Sequence, residues 1–422
     1  MSNLAILGGE PIRTKLFPSQ NTIGQDEKAA ALHVLNSGKL TGYMGNWSSS
    51  FYGGKEICAL EEEWASVFQV KHAIACNSAT SGLFIACGAI GMGADKGDAI
   101  VTPFSMTCSA TAPLGWGSGV RFCDIEREHY CLSAEQFKNM TQHTFQKFSG
   151  IIPVSLFGQP YDAENINPIA KAKDIYVIED AAQALGSKLN GKWAGTLGDI
   201  GIYSFNLGKH LTCGEGGMIV TNNDELAMKC RLIMNHAEAV MHGAAKEPDM
   251  MQFKNLFGFN LRMTEICAAI VRVQLRKMDE LIGQRILNVD YLLEKLKDIP
   301  CLEMPKIREG CTHTFYVMPL KYKNDVMEGI HRDRFIEAVK AELQPVMDRE
   351  SEGVPIGGGY IQPIQSMPLF DRPLNETPEC ARQWQDELII LHRFFGPMAN
   401  NEDLDDIANA FVKVYENRGD LK

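Results

Sequence analysis

The chain contains no C-x-x-C pair among its 12 cysteines, and its 41 Lys and Arg residues fall short of its 52 Asp and Glu residues. It also lacks any run of about 18 uninterrupted apolar residues, the length a membrane-crossing helix needs. Each absence removes a class of function. Scattered cysteines in a chain this long fit neither a disulfide framework nor a zinc site, whose ligands cluster. A net charge of −11 opposes general nucleic-acid binding, which needs a basic face to neutralise phosphates. The start, Met1-Ser2-Asn3-Leu4, has neither a basic segment nor an apolar one, so no signal peptide is expected. What is present, 422 residues with 45% hydrophobic content, exceeds what one core usually organises. The expectation is a two-domain enzyme of the cytoplasm with free thiols, no metal site and no membrane or nucleic-acid partner.

Up to about residue 280, short apolar runs alternate with segments of helical periodicity. His72–Cys76, Ala99–Val101, Ile151–Val154, Ile175–Ile178 and Met218–Val220 read as buried strands, and Ser81–Ile90 and Asp162–Ala172 as helices. This alternation predicts an α/β fold with a mostly parallel sheet covered on both faces. Ligands of such sheets lie at the carboxyl ends of strands. Met263–Leu293 reads as one long helix. Beyond it come a strand (Thr314–Leu320), a polar helix (Asp333–Glu342), a glycine-rich loop (Gly357–Gly359) and a terminal helix (Asn401–Tyr415). The boundary is placed at residue 285, giving a large unit of 1–285 and a small α+β unit of 286–422. The aromatic loop Asn46–Gly54 reads either as a cover over a site or as plain surface.

Three features carry candidate chemistry. Asp180 follows a buried strand in Glu179-Asp180-Ala181-Ala182-Gln183, where it either caps a helix or pairs with a ligand cation. Lys209 precedes the turn Gly214-Glu215-Gly216-Gly217. It is either a surface lysine or an amine able to form a Schiff base with a carbonyl. Asn77-Ser78-Ala79-Thr80-Ser81 joins a strand to a helix, as an ordinary N-cap or as a cradle of N–H groups for phosphate. Gly186–Trp193 matches a P-loop until Trp193 replaces the hydroxyl residue that magnesium requires. Its Asn190-Gly191 predicts a hairpin instead. His236, Glu238 and His242 lack the spacing of a zinc-protease helix.

In order and spacing, these three features resemble a fold-type I pyridoxal-phosphate enzyme, and more narrowly the DegT-type sugar aminotransferases. The resemblance spans most of the chain. It adds Ser37-Gly38-Lys39-Leu40-Thr41-Gly42, Ser204-Phe205 ahead of Lys209, and Gly258-Phe259-Asn260-Leu261-Arg262-Met263-Thr264-Glu265. It implies a large unit with a mixed, mostly parallel sheet and a small C-terminal α+β unit. It implies that Lys209 holds pyridoxal 5′-phosphate as a Schiff base and then moves the proton. Asp180 would keep the pyridine nitrogen protonated, which makes the ring an electron sink. Gln183 would bond the phenolic oxygen, and Ser78, Ala79, Thr80 and Ser204 the phosphate. Asn260 of a second subunit would complete the phosphate site, so a homodimer with shared sites is implied. Cys108 stands where the family has an aromatic ring against the cofactor; either its thiol packs there or Phe104 supplies the face.

The resemblance further implies transfer of an amino group from glutamate to an aldehyde or ketone of a sugar. One branch of the family carries histidine in place of the lysine and dehydrates sugars; here Lys209 is present, followed by His210. A non-catalytic binding protein would not need both Asp180 and Lys209. The segment Leu4–Arg13 and Leu391-His392-Arg393 resemble a subgroup with cyclitol (scyllo-inosose) aminotransferases and aminohydroxybenzoate synthases. A related activity forms 8-amino-3,8-dideoxy-octulosonate for lipopolysaccharide. That acceptor is the expectation, with a cyclitol or a nucleotide-linked sugar as alternatives. An acidic sugar calls for a cation, for which Lys39, Arg262 and His313 are the candidates.

Overall fold

The computed structural model describes residues 2–142, 146–240, 248–253 and 255–422. Among the described residues, nine strands form in the first part of the chain: β1 (His72–Cys76), β2 (Asp98–Val101), β3 (Val120–Phe122), β4 (Phe148–Ile152), β5 (Tyr176–Asp180), β6 (Lys188–Leu189), β7 (Lys192–Trp193), β8 (Ile200–Ser204) and β9 (Gly217–Thr221). Seven of them make one sheet in the order β1-β9-β8-β5-β4-β2-β3, and β9 alone runs against the rest. The central strands are continuous apolar runs because helices cover both faces; β8 is buried at every position. The β6–β7 hairpin turns on Asn190 and Gly191, both at positive φ. That is the backbone an Asn-Gly turn favours.

The helix Lys55–Phe68 shows how sequence spacing anchors this sheet. Ile57, Leu60, Trp64 and Phe68 recur on one face and are buried. Trp64 stacks on Phe68 at 4.6 Å and meets Tyr203 and Phe205 edge-on at 5.1 Å. Each such aromatic contributes about 1.5–3 kcal/mol by leaving water.

The expected long helix is two. Glu265–Arg276 ends at Lys277, and Met278–Leu296 begins there. The backbone leaves helical angles at Lys277 (φ −95°, ψ 2°), and its ammonium pairs with Glu27 and Asp26. Apolar periodicity alone does not reveal such a break, because both helices keep an apolar face. The second helix leads into an antiparallel sheet of β10 (Leu302–Glu303), β11 (Met318–Tyr322), β12 (Ile356–Gly357) and β13 (Leu388–Leu391), in the order β10-β11-β13-β12. The helices Arg332–Ala341 and Asn401–Glu416 cover it. The N-terminal Leu4 and Phe17 are buried in this second core. The loop 46–54 carries a short 3-10 turn, Ser49–Tyr52, whose Phe51 packs with Leu232 and Val240 rather than over a cavity. The twelve cysteines are free thiols, and no helix of the described residues is long and apolar enough to cross a membrane.

Candidate active site

The parallel strands release their carboxyl ends on one side of the sheet, and a cavity of about 470 Å³ lies there. Strand β1 delivers Ser78, Ala79 and Thr80, β5 delivers Asp180 and Gln183, and β8 delivers Ser204 and the loop to Lys209. Cys108, from the segment after β2, lines the same cavity. Residues 78 and 209, far apart in sequence, therefore face one space because their strands end at one edge.

Ser78 caps the helix Ala79–Ala89: its hydroxyl accepts the Ser81 N–H at 3.1 Å. The next N–H groups, of Ala79 and Thr80, have no intrahelical carbonyl to bond, and the helix dipole leaves them positive. Gly217 packs directly against this turn. A Cβ there would stand 2.6 Å from the Ser78 carbonyl carbon and 2.7 Å from the Ala79 nitrogen. Glycine is what lets β9 lie this close to the helix start. The N-cap reading is thus present, and the same turn lines the cavity.

Asp180 is buried. One oxygen accepts from the Ala182 N–H at 3.1 Å and the other from the Ser109 hydroxyl at 3.2 Å. Burial raises its pKa above the ordinary carboxylate range, while those two donors and the Lys209 charge pull it back. The Lys209 ammonium lies 4.1 Å from the centroid of the Tyr316 ring, and its backbone N–H bonds Asn206 O in a tight turn. Gln183 accepts from the Phe157 N–H at 3.1 Å and donates to the Tyr360 hydroxyl at 2.7 Å. The Cys108 thiol is pushed up to about 11, by burial first and then by the Asp180 charge. It stays a neutral thiol. Phe104 is fully buried against Tyr360 and does not line the cavity.

Asn260 lies elsewhere. It is exposed and accepts from Arg262 Nε at 2.8 Å. The three cations expected for an acidic substrate are not at the cavity. Lys39 is exposed on the surface. Arg262 is held by Asn260 and Asn235. His313 is buried in a stack on Phe315, and burial draws it down to about 3, so it carries no charge near neutrality. The cavity instead receives Arg393, with Tyr316 and Tyr360, all from the second half of the chain. Arg393 sits in Leu391-His392-Arg393, a motif visible in the sequence without a role; no spacing signal marks the two tyrosines. Among the described residues no group of three His, Cys, Asp or Glu side chains is placed to hold a metal; His242 lies outside them.

A buried carboxylate, a lysine and a helix start whose N–H groups await an acceptor are the donor set that a phosphorylated, cationic-ring aldehyde requires. Comparison with known proteins agrees. The model of the DegT/DnrJ/EryC1/StrS aminotransferase family matches residues 22–412. GDP-perosamine synthase of Caulobacter vibrioides is 36% identical over 82% of this chain and 83% of its own length. An aminotransferase structure from Psychrobacter cryohalolentis superposes with a TM-score of 0.81 at 27% identity, covering 96% of this chain and 100% of that one. An E. coli GDP-4-keto-6-deoxy-D-mannose-3-dehydratase with bound hydrated pyridoxal phosphate shares the fold, with a TM-score of 0.76 at 22% identity over 94% of this chain and 100% of that one. The chain belongs to the DegT/DnrJ/EryC1/StrS aminotransferase family, and is an α/β, fold-type I aminotransferase that uses pyridoxal 5′-phosphate.

Proposed function

We propose that the protein transfers the amino group of glutamate to the aldehyde of an octulosonate, forming 8-amino-3,8-dideoxy-octulosonate for lipopolysaccharide in the cytoplasm. The observation that carries the aminotransfer is the single cavity lined by Lys209, Asp180, Gln183, Ser204 and the Ser78–Thr80 turn. Bound there, the cofactor supplies the electron sink that stabilises a carbanion at the substrate carbon. Lys209 would hold it covalently, and its amine would move the proton to and from that carbon. Asp180 keeps a proton on the ring nitrogen. Its burial between two N–H or O–H donors favours a cation beside it over water. Gln183 has a second amide N–H free for a phenolic oxygen, since Tyr360 takes only one. The Ala79 and Thr80 N–H groups and the Ser204 hydroxyl hold the phosphate. Cys108, a neutral thiol on the cavity wall, would lie beside the bound cofactor.

Aminotransfer is favoured over dehydration because Lys209 lines the Asp180 cavity and His210 does not. The His210 ring instead donates Nε2–H to Thr314 O at 3.0 Å. The exposure of Asn260 supports a homodimer in which each chain's Asn260 completes the other's phosphate site. The division into a cofactor-binding unit of 1–285 and a closing unit of 286–422 belongs to the same reading. A GDP-linked keto-sugar is the second acceptor, favoured by the 36% identity to a GDP-perosamine synthase.

Borohydride reduction of the cofactor-loaded protein, followed by peptide mass mapping, should place the cofactor on Lys209. The Lys209→Ala protein should lack that adduct and its visible absorbance. A Lys209→Ala protein transaminating at the native rate defeats the assignment. Feeding the amino-charged enzyme the octulosonate aldehyde, a GDP-keto-sugar and scyllo-inosose, and watching for the return of the visible band, identifies the acceptor. Equal amounts of Lys209→Ala and Asn260→Ala chains should regain activity on mixing if sites are shared.

A further inference from the structure

A second cavity, of about 500 Å³, adjoins the first. The two share Lys209, Tyr316, His392 and Arg393 as walls. The rest of its wall comes from the segment Ser19–Ile23, residues 207–212 around Lys209, the 346–349 turn, the helix Met278–Leu296 and Pro397.

The charges on this wall are unbalanced. Arg285 faces it from the helix with no carboxylate at ion-pair distance among the described residues. Its hydrogen bond there is to the Phe315 carbonyl, a long one at 3.4 Å. Arg285 is half-buried, with its guanidinium carbon 5.8 Å from the centroid of the Phe395 ring; burial draws the guanidinium down to about 10, and Tyr316 only partly offsets this. Arg349 and Arg393 share one carboxylate, Glu352. Asp348 is the acid that lines the cavity itself among the described residues, and it is exposed. Lys209 is thus offset by the Asp180 charge and Arg349 and Arg393 by Glu352, which leaves Arg285 as the cation on this wall without a carboxylate partner among the described residues. His210 adds a directional group. Its Nε2–H is spent on Thr314 O, so Nδ1 is a bare acceptor, buried and without a partner. A half-buried cation without a counter-charge and a buried acceptor without a donor both cost free energy unless a ligand satisfies them.

We propose that this second cavity is an oxyanion subsite: a carboxylate or phosphate of the substrate docks on Arg285 and Arg393, while a substrate hydroxyl donates to His210 Nδ1. The planar guanidinium fork matches two oxygens of either anion. Because the cavities meet at Lys209, the anion anchors the molecule whose reactive carbon stands at that amine. The assignment rests on the proposed role of Lys209. The oxyanion belongs either to the donor, as a glutamate carboxylate, or to the acceptor.

The test follows the visible band of the cofactor-loaded protein through each half-reaction. Arg285→Gln should still load cofactor. It should raise the half-saturating concentration about tenfold or more for glutamate if the donor docks there, or for acidic but not neutral sugar aldehydes if the acceptor does. Arg285→Lys should recover part of the loss. Inorganic sulfate should compete with that same substrate in the wild-type protein and more weakly in the variant. Arg393→Gln, at the mouth, provides the same reading should Arg285→Gln fail to fold. Shifts under twofold in both half-reactions, with sulfate competing equally in both proteins, overturn the subsite. A wild-type protein that forms no band at Lys209 overturns the reading of the active site instead.

Discussion

Gln183 donates to the Tyr360 hydroxyl at 2.7 Å, and this bond joins the end of the cofactor-side strand β5 to the loop after β12. Tyr360 is half-buried, edge-on against Phe104 at 5.1 Å, with its carbonyl accepting from Trp384 Nε1. Tyr360→Phe keeps the ring and removes the acceptor. It should cost about 1 kcal/mol of stability and loosen the Gln183 amide, which a lower thermal midpoint and a shifted visible absorbance maximum would show together.

Asp180→Asn preserves shape and the bond from the Ala182 N–H but removes the charge. Turnover should fall roughly 10²-fold or more, the scale for losing one buried electrostatic contact to a reacting group. Substrate KM should change little, and Lys209 should still take up cofactor on reduction. A variant within threefold of native turnover rejects the role given to Asp180.

Gly217→Ala places a methyl against the Ser78 and Ala79 backbone at 2.6–2.7 Å. Backbone does not yield as a side-chain tip does. A loss of about 1–3 kcal/mol is expected, with a cofactor that dialyses away faster because the phosphate turn is displaced. Denaturant midpoints and residual visible absorbance measure the two effects.

The pH dependence of stability has opposing limbs. Burial draws His313 from 6.5 down to about 3 and His392 down to about 4. The unfolded chain binds those protons first, so their contribution is whole above pH 6.5 and is lost as pH falls toward 4 and 3. Burial raises Glu179 to about 7; its contribution is whole below its unfolded value near 4.5 and is lost as pH rises through 7. His313→Asn keeps an acceptor for the Phe315 N–H and removes the titration. Its stability should fall less steeply than the native protein's between pH 6.5 and 4. Glu179→Gln should flatten the opposite limb. Unchanged slopes in urea titrations across pH would refute both.

Much of the site is legible in the amino-acid sequence. The five apolar runs ahead of residue 280 all contain strand residues, and β1 matches at both ends, because a sheet covered on both faces demands unbroken apolar segments. Asp180 and the Ser78 turn stand out because each lies at the end of such a run, and Lys209 because a glycine-rich turn follows it; β8, the strand that leads to Lys209, is not among the five. The splitting of the long helix at Lys277 is not legible, since Glu27, which holds that lysine, lies 250 positions away.

The substrate side depends on tertiary structure for the same reason. Residue type alone suggests Lys39, Arg262 and His313, yet burial strips His313 of charge and the fold directs the other two away from the cavity. Arg285 and Tyr316 enter only because the second half of the chain packs against the strand ends. Sequence by itself marked five strands of the large sheet, the residues Lys209, Asp180 and Ser78 that meet at one cavity, and the family, all of which rest on short-range pattern. Which cations face the substrate depends on desolvation and on contacts between distant segments, and those exist only once the chain is folded.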